Sequence, residues 1–142
     1  MPNVSKSLPK IVNNNREYTA TIAAGARNFT DPIFCSGNSF LAMTIDQTFT
    51  PATLTFYASL TGKEGTFYEL CERLSDGTVQ TIEILESSIT DILNALTDPA
   101  VGAQIPLPPA IFAAVQFLQI RCSVVQASEQ NVKLIMAPVL GS

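Results

Sequence analysis

Ser39–Arg73, SFLAMTIDQTFTPATLTFYASLTGKEGTFYELCER, is the stretch whose reading decides the fold. It reads as three consecutive antiparallel strands. In Ser39–Asp46, Leu41, Met43 and Ile45 alternate with Phe40, Ala42 and Thr44, the period-two pattern of a strand with two distinct faces. The link Gln47–Pro51 closes that strand, because Pro51 has no N–H to give a central ladder. Ala52–Leu60 alternates again, with Leu54, Phe56, Ala58 and Leu60 facing away from Thr53, Thr55, Tyr57 and Ser59. Thr61–Gly65 is a polar loop of hairpin length with two glycines, and Thr66–Arg73 is a returning strand rich in the aromatic residues that strands favour.

Working outward, the preceding segment supplies two more strands. Glu17–Ile22 alternates, and Asn28–Cys35 carries a short strand interrupted by Asp31-Pro32 before the turn Ser36-Gly37-Asn38. Residues 1–16, MPNVSKSLPKIVNNNR, have two prolines, a run of asparagines and little periodicity. They read as a disordered tail or as an extended arm lying on a neighbouring subunit. In the second case Val4, Leu8, Ile11 and Val12 are the apolar anchors at the partner interface.

Downstream, Ser75-Asp76-Gly77 is a hairpin turn leading into a strand over Thr78–Leu85. Ile89, Ile92, Leu93 and Leu96 fall at helical spacing, so Ile89–Leu96 reads as a short helix capped by Ser87 or Ser88, with a strand as the competing assignment. Ala100–Pro109 reads as a stiff loop, Pro108–Ala113 as one further helical turn, and Val115–Val125 and Val132–Leu140 as the closing strands. In Val115–Val125, Leu118, Ile120, Cys122 and Val124 face one way. Seven or eight short strands joined by Gly, Pro, Asp and Asn turns predict an all-β fold. The expected form is an antiparallel β-sandwich of the jelly-roll kind, with one or two short helices and the extended N-terminal arm. Residues 17–142 then form a single sandwich domain, and the link Ile89–Phe112 crosses between sheets.

Composition narrows the function more than any motif does. The 142 residues carry a net charge of −4, and charged side chains make up 14% of them, against about a quarter in an ordinary domain. So neutral an exterior implies that neighbouring protein covers much of it. Scattered basic residues argue against nucleic acid as a partner. No run of apolar residues is long enough to span a membrane, and no secretory signal is evident.

With no His in the sequence, every His-dependent triad, base and metal ligand is removed. Cys35, Cys71 and Cys122 are odd in number and widely spaced, so they read as unpaired core thiols in a chain that folds in a reducing compartment. Among the carboxylates, Asp46, Glu69 and Glu72 form no selected pair, and Asp31, Asp46, Asp76, Asp91 and Asp98 form no calcium loop. Thr61–Gly65 lacks the second half of a phosphate-binding loop. Tyr18, Tyr57 and Tyr68 are candidates for a carbohydrate-binding face, although a strand tyrosine more often serves as a cross-strand partner. The expectation is a protein that is not an enzyme, with no cofactor and no small-molecule substrate.

Ile45, Phe49-Thr50, Ala52–Phe56, Ser59 and Gly65–Leu70 together resemble a family of small structural proteins of tailed bacteriophages. Pro108–Phe112 followed by Phe117–Ser123 resembles the last third of that family, with Cys122 interrupting its Arg-Ser pair. The resemblance covers about two-thirds of the chain and rests on β-patterning. It implies a virion component with no catalytic residues to carry over. One form is a capsid decoration (cement) protein, made in the host cytoplasm and placed on the capsid exterior. There it would act as a homotrimer clamping the major capsid protein. The other form is a neck or tail accessory protein, and a carbohydrate-binding module stands further off.

Overall fold

The alternating stretches resolve into two stacked sheets whose order follows from how the two halves of the chain meet. The computed structural model describes residues 16–25, 28–35, 38–59, 61–62, 65–98, 101–107, 112 and 115–138. The first sheet contains β1 (Arg16–Ile22), β3 (Asn38–Ile45), β9 (Ala103–Pro106) and β11 (Gln130–Pro138), in the order β1-β11-β3-β9. The second contains β2 (Ile33–Phe34), β10 (Phe117–Cys122) and β4 (Leu54–Ser59), with β5 (Tyr68–Glu69) and β8 (Glu83–Ile84) both on the far side of β4. A ribbon of β6 (Cys71–Arg73) and β7 (Val79–Thr81) stands apart, and the helix α1 (Glu86–Ala95) follows β8.

Every pairing is antiparallel, and each early strand meets its counterpart counted from the other end. β1 pairs β11, β2 pairs β10, β3 pairs β9, and β4 pairs β5 and β8. The chain is one long hairpin, rolled so that β11 also meets β3 and β10 also meets β4. That is the jelly-roll arrangement, two Greek keys in an all-β sandwich.

Several local expectations are corrected by this roll. β3 and β4 are not paired neighbours: Gln47–Pro51 carries the chain from one sheet to the other, with Phe49 and Ala52 buried. The alternation in β3 also breaks. The register jumps between Ile135 and Met136, so Leu41 is the extra residue of a bulge, and Phe40 joins Met43 and Ile45 in the core. The expected strand over Thr66–Arg73 splits at Leu70, whose N–H reaches Phe56 O at 2.7 Å while its carbonyl accepts from Ile82 at 3.0 Å. β6 and β7 leave the sheet there as an excursion, and β8 returns to β4 where β5 left it.

The helix begins two residues before the proposed Ser88 cap and has no side-chain cap of its own. Its first N–H, from Glu86, donates instead to Thr53 Oγ1 at 3.1 Å. Ala100–Pro109, read as loop, contains the edge strand β9. Pro106 is tolerated there because an edge strand keeps one side of its backbone out of the ladder. The crossing expected over Ile89–Phe112 is present, since the chain passes from β8 in the second sheet to β9 in the first. Arg16, assigned to the arm, is the first residue of β1. The rest of the arm, with Val4, Leu8, Ile11 and Val12, lies outside the described residues. So does the helical turn over Pro108–Ala113 apart from Phe112.

Between the sheets, Phe112 joins the two layers. Its ring meets Phe40 of β3 at 5.6 Å and Phe56 of β4 at 5.4 Å, both edge-on, and all three are fully buried. At one end of the sandwich the buried Gln126 imitates a strand. Its Oε1 accepts from the Thr50 N–H at 2.7 Å and its Nε2 donates to Thr50 O at 2.9 Å. Gln130 repeats the device, donating to Thr48 O at 3.2 Å. These amides satisfy main-chain groups that the crossover would otherwise leave bare. At Gly102, with φ +78°, an added Cβ would meet the Ile45 carbonyl oxygen, so the entry to β9 requires glycine.

Gln126→Ala leaves one donor and one acceptor of Thr50 unsatisfied, which costs about 2–4 kcal/mol. Urea unfolding should report that loss as a lower midpoint at unchanged slope. A midpoint within error of the parent would show that water replaces the amide.

Candidate functional site

The two outer faces of the sandwich are chemically unlike. On the first sheet, the register sets Thr19, Thr21, Thr44, Asn131 and Lys133 outward, with a long ion pair of 3.8 Å between Lys133 and Glu17. That face is polar and nearly neutral. The second sheet carries aromatics and an arginine on its outer face.

β10 explains why. Leu118, Ile120 and Cys122 are buried, as their spacing predicts, so the intervening Phe117, Gln119 and Arg121 belong to the opposite face. Pairing then fixes their neighbours: Phe34 lies beside Phe117 with ring centroids 5.1 Å apart, and Tyr57 lies beside Gln119. Phe29, bridged to Arg121, adds a third phenyl ring. Phe34 is 55% exposed, well beyond what a packing role alone would leave open.

Arg121 is held in place from two sides. Its guanidinium carbon sits 3.7 Å from the Tyr57 ring centre, and its Nε donates to Gln119 Oε1 at 2.7 Å. Gln119 is buried and donates in turn to Thr30 O at 3.2 Å. Thr30, fully buried, exchanges main-chain and side-chain bonds with Ile120 at 3.0 and 3.1 Å. The two terminal nitrogens of Arg121 find no acceptor among the described residues, so its guanidinium fork is left open on this face.

The structure separates the residues singled out in the sequence. Tyr57 is occupied on one face by Arg121, Tyr68 is 70% exposed at the start of β5, and Tyr18 lies on β1 in the other sheet, so the three tyrosines form no common platform. Glu69 lies on β5 and Glu72 on the separate ribbon, where Gln80 Nε2 donates to it at 2.9 Å. Asp76 accepts from both the N–H and the hydroxyl of Thr78, which hold its carboxyl below the usual carboxylate range and tighten the ribbon's turn. No group of three or more His, Cys, Asp or Glu side chains converges among the described residues. Among the same residues, no helix is long and apolar enough to cross a membrane. No sequence motif singles out Arg121; the signal that finds it is the parity of β10, which sets it on the side opposite Leu118, Ile120 and Cys122.

A second feature lies at the opposite edge of the sandwich. A recess of about 410 Å³ opens between β8 and β9, with Phe56, Ile82 and Leu107 among its lining residues and Glu72 and Glu83 also bordering it. β8 pairs only β4 and β9 pairs only β3, so both are sheet edges.

All three thiols are free, as expected, but only two are core thiols: Cys35 and Cys122 are buried, whereas Cys71 on β6 is exposed. Burial pushes the Cys35 thiol up to about 12 and the Cys122 thiol up to about 11. No protein-family model matches the chain, and no curated protein matches it.

One thiol, Cys71, should react with a maleimide in the native protein and all three in urea. The buried thiols also set a pH dependence. Their folded pKa values lie above the ordinary 9.0, so their contribution to stability is complete below about pH 9 and is lost as pH rises through about 11 and 12. Urea midpoints measured between pH 8 and pH 10.5 should fall, and the C35A/C122A variant should flatten that fall.

Proposed function

We propose that this chain is a non-enzymatic structural protein of a tailed-bacteriophage particle. It binds the assembled shell of major capsid protein from outside, as a decoration or cement protein acting in threes. The observation that carries this reading is the outer face of the second sheet. Phe29, Phe34, Phe117, Tyr57 and Arg121 lie together there on a protein otherwise poor in charge. Aromatic residues and arginine are the side chains enriched where proteins bury surface against one another, and they dominate binding energy there. The resemblance of Ile45–Leu70 and Pro108–Ser123 to phage structural proteins supports the same reading. The jelly roll is compatible with it, since that fold serves viral capsids, although it serves lectins as well.

The mechanism is mass action. A subunit that binds only the assembled shell lowers the free energy of that state, so opening or disassembly becomes costlier by the binding energy of every occupied site. A rigid sheet face suits this task because little side-chain freedom is left to lose. Arg121 is already stacked and hydrogen-bonded, and Phe34 already leans on Phe117.

Phe34→Lys removes the most exposed ring and adds a charge with no partner. Occupancy on empty, expanded shells should fall at least about tenfold, equivalent to about 1.4 kcal/mol, while the urea midpoint of the free protein stays within about 0.5 kcal/mol of the parent. Unchanged occupancy would move the contact off this face. Gold-labelled protein gathered at the neck instead of over the shell faces would replace decoration with the neck or tail role. Binding on a glycan array with none to shells would overturn the reading.

A further inference from the structure

The net charge of this protein is concentrated in two places of opposite sign. Residues 69–98 carry seven carboxylates against the single cation Arg73, whereas residues 1–15 carry Lys6 and Lys10 and no acid. The recess between β8 and β9 lies within the acidic region, with Glu72 and Glu83 on its border. Glu83 has no partner among the described residues, and Glu72 has only the neutral Gln80 amide. Leu85, also at the recess, is about half exposed. An occupant that fits must bring an apolar side chain for the floor and cations for the rim.

The chain contains such a segment. In an extended strand, residues of one parity share a side. Among residues 1–15 that side reads Val4, Lys6, Leu8, Lys10, Val12, an aliphatic residue at the centre with a cation on either flank. Pro9 restricts Leu8 to extended backbone, and its missing N–H is tolerated in a strand added at a sheet edge. Ile11 falls on the other side. We propose that residues 1–15 of one copy seat in the recess of a second copy. Leu8 enters against Phe56 and Leu107, and Lys6 and Lys10 flank Glu72 and Glu83. The segment runs along the open edges of β8 and β9 as an added strand.

The occupant is a second copy because the chain is proposed to self-associate, and its own recess is the arrangement that a mixture of variants tells apart. β1 is the edge strand of the first sheet farthest from β9, three strand spacings or about 14 Å away. Fifteen extended residues reach about 50 Å, enough for the recess of the same sandwich or of a neighbouring one. A ring in which each copy gives its first residues to the next closes without a free recess, consistent with three-fold assembly. The inference takes from the proposed function only that the chain self-associates.

The test uses the full chain and two charge-reversal variants, K6E/K10E and E72K/E83K, in sedimentation velocity at low salt. Each variant alone should dissociate at least tenfold more readily than the parent, and combining all four changes in one chain should restore the oligomer. Mixing the two variants should restore association between unlike variants, as pairs or even-membered rings, because each then meets an opposite charge on the other, although an odd-membered ring of the two cannot close. Oligomers that persist in a chain lacking residues 1–15 would overturn the proposal, as would a mixture that stays monomeric while the four-fold variant is rescued, which would place the segment on its own sandwich. Shell occupancy is a separate readout: loss of self-association with retained binding of Phe34-bearing monomers to shells leaves the decoration reading standing, and the reverse sinks that reading alone.

Discussion

The amide of Gln126, bonded to both sides of the Thr50 main chain, is the contact on which the roll of this sandwich depends. A chain that leaves one sheet at Ile45 and enters another at Leu54 must place peptide groups away from any ladder, and a bare peptide there is costly. A side-chain amide carries the same donor and acceptor as the backbone and can stand in for a missing strand. With Gln130 Nε2 donating to the Thr48 carbonyl and hydroxyl, the crossover closes the end of the core, and Phe49 drops in beneath it. Once β3 and β4 are committed to different sheets, the second half of the chain has one way to pair. β9 meets β3, β10 meets β4 and β2, and β11 meets β1 and β3. The face that displays Arg121 exists only in that arrangement.

Local pattern identified most of the strands and the class. Period-two alternation places β1, β4, β10 and β11, Asp-Gly marks the β6–β7 turn, and the stripe of Ile89, Ile92 and Leu93 places the helix against the core cluster. What escaped was non-local. Nothing in Gln47–Pro51 distinguishes a hairpin link from a crossover, since the deciding partner, Gln126, is 76 residues away. The bulge at Leu41 is likewise set by β11, and alternation read through it sends Phe40 to the wrong face. The breaks at Leu70 and Ile82 fall where the Ile82 N–H donates to the Leu70 carbonyl while the Leu70 N–H donates to Phe56 O.

The candidate site divides along the same line. Parity alone could have put Phe117, Gln119 and Arg121 on one face of β10. That Tyr57 lies under Arg121, and that Phe34 lies beside Phe117, are facts of register between segments about 60 and 80 residues apart. The low charge of the chain was legible from composition, yet composition averages over position. It hid the placing of Glu72 and Glu83 at one recess and of aromatics on one face.

That separation bears on how a small sandwich can assemble without committing every surface at once. Aromatic burial is short-ranged and insensitive to salt, whereas attraction between an acidic edge and a basic segment acts over about 10 Å and weakens as salt rises. Interactions of the two kinds on different sides of one domain do not compete for area. One of them can therefore set how copies meet each other while the other sets what they jointly cover. A neutral first-sheet face of threonines and asparagine leaves the remaining side without a strong preference for either. A single sheet edge bearing both charge and aromatics would have coupled the two choices, and every change in ionic strength would then have altered both together.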